Sequence, residues 1–80
     1  MTKTPTLEEF TTAVKESFRN LNPQLSDKDV DDYISGDEAK EEIESRYATD
    51  SKRFESGEIT YQVFMVGCVS SVAYCLHMMY

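Results

Sequence analysis

Basic side chains are scarce in this chain. Eight Lys and Arg stand against 15 Asp and Glu in 80 residues, for a formal net charge of −7. Phosphate repels such a protein, which argues against direct nucleic-acid binding and against docking on an anionic membrane. The same charge suits a basic protein partner, or a carboxylate surface that mimics DNA and occupies a DNA-binding protein. Glycine and proline are few as well, 3 and 2, and turn clusters are rare, so a fold of many short strands is excluded and helix is favoured. There is no glycine loop to cradle phosphate, no internal repeat, no low-complexity tract and no linker. No apolar leader follows Met1.

Cysteine is limited to Cys68 and Cys75. On one helix they share a face about 10.5 Å apart along the axis, whereas a disulfide needs Cα atoms within about 7 Å. Reduced, packed thiols in a cytoplasmic protein are the expectation. The sharpest absence is in the last stretch: Tyr61–Tyr80 contains no Asp, Glu, Lys or Arg. The core of a chain this short is thin, and this apolar segment has to supply much of it.

Helix signals divide the rest. Thr6 and Glu9 form a capping box that opens a helix at Leu7. Leu7, Phe10, Val14, Phe18 and Leu21 make its apolar stripe, and Pro23 stops it near Asn20–Asn22. Ser26 caps a second helix, Asp27 to Ser35, with Leu25 and Val30 as a hydrophobic staple; Gly36 ends it in the left-handed C′ position. Asp37 caps a third, Glu38 to about Glu55, with the stripe Ala39, Ile43, Tyr47 and Phe54. That stripe is interrupted at Asp50 and Ser51, which predicts a helix lying across the surface of the core. Gly57 closes it. Thr60 caps a fourth helix, Tyr61 to Met79, with Ile59 and Phe64 as its staple. Being apolar on nearly every side, it belongs at the centre of the domain, in a membrane or at a subunit interface. The expectation is one all-α domain over residues 1–80, a bundle of about four helices with the apolar C-terminal helix at its centre.

Candidate chemistry is sparse. Asp27, Asp29, Asp31 and Glu38 match positions 1, 3, 5 and 12 of a twelve-residue calcium loop, whose oxygen cage suits a hard cation. Position 6, where the loop turns on glycine, is Asp32, and a capped helix explains the same residues without metal. Asp50-Ser51 has the dipeptide of an acyl-carrier attachment site, but inside a helix and followed by Lys52. His77 lies near Cys75 and Cys68 in sequence, yet residues two apart on a helix face different ways and zinc needs about four ligands. The carboxylates sit on solvated faces with no pocket for acid–base work. No cofactor and no catalytic residue are expected.

Gly67, Ser71 and Cys75 form a ladder of small side chains on which a second helix can approach closely. That helix is either the first helix of the same chain or the same segment of a second copy. Tyr74 and Met78 extend the ladder as candidate contact residues; at helical spacing, the bulky Tyr and Met of this segment default to core positions. The run Ser56-Gly-Glu-Ile-Thr-Tyr-Gln-Val-Phe-Met-Val-Gly-Cys-Val-Ser-Ser-Val-Ala-Tyr-Cys-Leu-His-Met-Met-Tyr, with Leu25-Ser-Asp-Lys-Asp-Val-Asp-Asp-Tyr-Ile before it, resembles short acidic proteins of bacterial conjugative and other mobile elements. The resemblance implies a bacterial accessory protein and no catalytic residues. The functional expectation is a non-enzymatic helical module that binds another protein, with a basic one suited to its charge, or a second copy of itself, through residues near the second and third helices or through exposed Tyr and Met of the fourth. A calcium module, a DNA mimic and a membrane-anchored peptide are the alternatives.

Overall fold

The computed structural model describes residues 3–80. Met1 and Thr2, where the reading of a missing leader begins, lie outside them. The described residues are all-α, without strands, and the helices follow the local signals closely. In α1, Leu7–Leu21, the Thr6 hydroxyl accepts the Glu9 N–H at 3.1 Å and Glu9 Oε1 accepts the Thr6 N–H at 3.0 Å. Hydrogen bonding to the carboxylate by the Thr6 backbone N–H, and next by its hydroxyl, holds the Glu9 carboxyl below its usual range. Phe10, Val14 and Phe18, four residues apart, are completely buried. A side chain of that kind contributes about 1.5–3 kcal/mol on burial. Leu21 leaves the stripe and is 40% exposed.

In α2, Asp27–Ile34, the Ser26 hydroxyl accepts the Asp29 N–H at 3.1 Å, and Val30 and Ile34 face the core. The same helix presents Asp27 and Asp31, one turn apart, to α1. Asp31 pairs with Lys15, and Asp27 Oδ1 lies 3.1 Å from Arg19 Nε without hydrogen-bond alignment. Such half-exposed pairs contribute at most about 1 kcal/mol each.

Gly36 departs from expectation. Its φ is −69° and its ψ is 158°, so it is extended and is the entry residue of α3, Asp37–Glu55. The chain leaves α2 through Ser35 in right-handed geometry, so no left-handed residue is needed. Glycine still has a reason to be there, because a Cβ would stand 3.2 Å from the Tyr33 carbonyl oxygen. Asp37 is accordingly the first residue of the helix rather than its cap, where its charge still suits the N-terminal end. Gly57 does take the left-handed turn, with φ 83°. Its N–H bonds the Phe54 carbonyl and the Glu58 N–H bonds that of Arg53, a Schellman closure.

The buried side of α3 is also longer than its apolar stripe. Ala39 and Ile43 are followed inward by Asp50 and Ser51, 3% and 9% exposed. Asp50 Oδ1 is held by Arg53 at 3.3 Å while its Oδ2 has no partner. Arg53 also binds Glu58. Ser51 donates to the Ala48 carbonyl.

Thr60 caps the C-terminal helix by accepting the Val63 N–H at 3.1 Å. The helix covers residues 61–79 and changes pitch: Val63–Cys68 is π-helical, and α4, Val69–Met79, is an α-helix. At the ordinary pitch Phe64 and Val69 would lie about 140° apart around the axis. The wider turn brings both inward, where Phe64, Cys68, Val69, Val72, Ala73 and Leu76 join the core. Phe64 stacks on Phe10 and Phe54 at 5.5 and 5.7 Å. The helix lies against α1 and α3, at the centre of the packing.

Two polar ties lock its far end. The Tyr33 hydroxyl donates to the Leu76 carbonyl at 3.0 Å. His77 Nδ1 lies 2.9 Å from Oδ1 of Asn22, which is 2% exposed and donates through Nδ2 to the Phe18 carbonyl.

Candidate interaction surface

The C-terminal helix is central without being enclosed. Its inward line is filled by the six core residues, with Met65, Cys75 and His77 half-buried beside them, and the remaining positions point outward. Val63 (47% exposed), Val66 (58%), Tyr74 (55%) and Met78 (67%) therefore stand on the surface. Tyr61, Met79 and Tyr80 are exposed as well, although Tyr80 packs edge-on against Tyr33 and Phe18. The core role expected of the bulky Tyr and Met is thus corrected for these residues; only Met65 packs at the core's margin.

The small-residue ladder also faces out. Gly67 and Ser71 are exposed and Cys75 is half-buried. With Ser70 and Tyr74 they form one wall of a groove of about 590 Å³, whose other wall is Ser17, Asn20 and Leu21 of α1. Helix α1 thus borders the ladder and does not cover it. The Arg46 guanidinium reaches across from α3 and donates to the Ser71 hydroxyl at 3.0 Å. Its carboxylate neighbour Glu42 lies 3.7 Å from it. No lining residue of the groove is ionised, whereas the sixty residues before the helix carry every formal charge.

Five large apolar side chains, Val63, Val66, Tyr74, Met78 and Leu21, are 40% or more exposed on or beside this face. Together they show roughly 500 Å², near the top of the about 300–600 Å² expected of the largest patch on a monomer. Val63, Val66 and Leu21 went unrecognised as surface residues in the sequence. The signal available was their place three to four residues from Gly67, Ser70 and Tyr74 on one helix, and on α1 a stripe one turn longer than its contacts.

The other candidates are dispersed. Asp27 and Asp31 are occupied with Arg19 and Lys15 on an intact helix, and the Asp29 backbone is engaged by Ser26. Glu38 stands exposed in the first turn of α3. Residues wound into α2 cannot wrap an ion as a calcium loop does. Among the described residues no three His, Cys, Asp or Glu side chains gather as metal ligands. Ser51 is buried in mid-helix, away from any attachment chemistry. Burial and the Asp50 charge push the Cys68 thiol above its ordinary value, the reverse of an activated nucleophile. His77 is engaged by Asn22 rather than by either cysteine.

A second cleft, of about 270 Å³, lies between α1 and the α2–α3 junction; Leu7, Ile34 and Ile43 line it, with Lys15, Lys40 and Glu44 at the rim. Lys15 is committed to Asp31. No described helix is long and apolar enough to cross a membrane. No protein-family model, curated protein or solved structure matches the chain.

Proposed function

We propose that this protein is a non-enzymatic interaction module that engages another polypeptide through the outward face of its C-terminal helix. One observation carries the reading: a helix face without a charged residue of its own, with Val63, Val66, Tyr74 and Met78 half-exposed and only the Arg46–Glu42 pair reaching its edge at Ser71, on a protein of net charge −7. Interfaces concentrate Tyr and Met at their centres and exclude carboxylates from them. An adjoining groove with a floor of small side chains is the shape that accepts a partner helix. The acidic remainder serves a separate role: it keeps the protein soluble and steers basic surfaces toward it. The sequence resemblance favours a bacterial mobile-element accessory protein working in the cytoplasm.

A photoreactive phenylalanine analogue in place of Tyr74 tests this. It should give discrete cross-linked species in cells, and Val66→Glu in the same chain should remove them. The same analogue in place of Lys28, on the acidic side of the molecule, should give none. Cross-linking from position 28 but not from 74 would move the binding surface to the carboxylates of α2 and α3, the arrangement a DNA mimic needs. Silence at both positions would end the interaction reading.

A further inference from the structure

The exposed face has a symmetry of its own. Counting outward from the Ser70–Ser71 step, Gly67 and Tyr74 are equidistant, and so are Val63 and Met78. Each large side chain on one half is matched at the same remove by a small or apolar one on the other. We propose that the occupant of this face is a second copy of the same chain, packed antiparallel about a two-fold axis passing between Ser70 and Ser71. The proposal rests on the reading of this face as a binding surface and names its partner.

In that arrangement Tyr74 lies over the partner's Gly67, and Val63 meets the partner's Met78. An isologous interface requires such self-complementarity. The fold leaves room for it: the nearest atom to a Cβ built on Gly67 is Val63 Cγ1, at 3.9 Å, so the glycine is not demanded by the chain's own packing. Its lack of a side chain is unused within one copy and becomes the seat of a ring in two.

Electrostatics confine a second copy to this face. Two molecules of charge −7 repel, and they can approach only where neither presents carboxylates. The C-terminal helix offers that strip, since no residue from Tyr61 to Tyr80 is acidic; the carboxylate nearest Ser71, Glu42, is offset by Arg46, 3.7 Å away, which itself donates to the Ser71 hydroxyl. The area is sufficient and modest. A standard interface takes about 800 Å² from each partner. The roughly 500 Å² of apolar side chain on the face, with Gly67, Ser70, Ser71 and Cys75 between, comes up toward that value. Area alone does not fix the affinity, so the dimer is sought over a wide dilution series.

Repulsion sets the salt response. Charges of like sign are screened over about 8 Å at physiological ionic strength but over about 30 Å at 0.01 M. A dimer of this kind therefore tightens as salt is added, whereas capture of a basic partner loosens.

Sedimentation equilibrium of the wild-type protein from 1 µM to 1 mM, at 10 and 150 mM sodium chloride, tests the proposal. The expected result is a monomer–dimer equilibrium at least tenfold tighter at the higher salt. Val66→Glu and, separately, Gly67→Leu should abolish it while circular dichroism stays unchanged, because both positions are exposed; Lys28→Glu should retain it. Monomer throughout the series would overturn the proposal, as would a dimer that loosens with salt or one that survives both face variants. If the protein stays monomeric while position 74 cross-links to a different polypeptide, the interaction module stands and only its partner has been misidentified.

Discussion

Asn22 ties the end of α1 to the C-terminal helix, and removing its side chain measures that tie. In Asn22→Ala two hydrogen bonds disappear: Nδ2 to the Phe18 carbonyl at 3.0 Å and Oδ1 with His77 Nδ1 at 2.9 Å. With Nδ2 spent on a carbonyl, Oδ1 is the acceptor and His77 Nδ1 the donor. Each bond contributes about 0.5–1.5 kcal/mol net. Neither partner is orphaned by the change. The Phe18 carbonyl keeps the Asn22 backbone N–H at 3.0 Å, and His77 is half-buried and within reach of water. The full penalty for a buried unsatisfied group is therefore absent, and a small packing term remains for a residue only 2% exposed. The expected loss is about 2–3 kcal/mol. In a domain of this length that lowers Tm by roughly 10–20 °C. Urea denaturation at several protein concentrations gives the value directly. The cycle with His77→Ala should return a coupling of about 0.5–1.5 kcal/mol. A loss under about 0.5 kcal/mol, or a loss unchanged when His77 is already alanine, would show that Asn22 does not connect the two helices.

Two further predictions concern titration. The Glu9 carboxyl is held below its usual range by the Thr6 backbone and side chain. A depressed folded-state pKa stabilises the fold above the unfolded-state value, and that contribution disappears as pH falls through the folded-state value. Nuclear magnetic resonance titration should therefore show Glu9 protonating at lower pH than the exposed glutamates, with Thr6→Val returning it toward them; a Glu9 indistinguishable from the others in the wild-type protein would refute the capping box. Cys68 is buried and its thiol is pushed up by burial and by Asp50, whereas Cys75 is half-buried. Iodoacetamide on dilute protein should modify Cys75 at least tenfold faster than Cys68, read by peptide mass; equal rates would mean that the helix opens around residue 68.

What was legible in the sequence was what is local. Thr6 with Glu9, Ser26 with Asp29, and Thr60 with Val63 are separated by three residues, and each cap forms as its chemistry requires. The four-residue rhythm of Phe10, Val14 and Phe18 needs no knowledge of a partner to be read as a buried face. Gly36 and Gly57 show the limit of the same logic. Both follow a helix, but only Gly57 turns left-handed, because a few residues of chain separate it from the next cap. Gly36 is itself the entry to α3, where a Cβ would stand a tight 3.2 Å from the Tyr33 carbonyl oxygen. Asp50 and Ser51 were illegible for a different reason. Polar residues are assigned to the surface by default, and only the arrival of the C-terminal helix, with Cys68 beside Asp50, turns that side of α3 inward. The calcium-loop spacing of Asp27, Asp29 and Asp31 illustrates the converse: Asp27 and Asp31 face Arg19 and Lys15 on α1, and Asp29 sits at the cap formed by Ser26.

The exposed face of the C-terminal helix follows from the change of pitch. A stretch without charge suggests burial on all sides, yet a helix in a bundle this small has only two or three neighbours and cannot be covered all round. The question is which residues are left out. With an ordinary pitch throughout, about 100° per residue, the inward line through Val69, Val72, Ala73 and Leu76 would leave Phe64 well to one side of it, about 140° from Val69. The π-helical turns at Val63–Cys68 return Phe64 to that line, where it meets Phe10 and Phe54. The same rotation determines where Val63, Val66 and Gly67 emerge. Segments of this pitch are uncommon and recur at functional positions. Here the segment has two consequences at once: a core completed by a fully buried Phe64, and an outer face on which Val66, Ser70 and Tyr74 follow one another in a line that no residue of the chain covers. Burying Phe64 is a sufficient reason for the widened turn in a single copy. The uncharged composition of the opposite face has no such reason, since lysine or glutamate at Val66, Ser70 or Tyr74 would leave every core contact intact, and that unused freedom is the strongest argument that another polypeptide sits there.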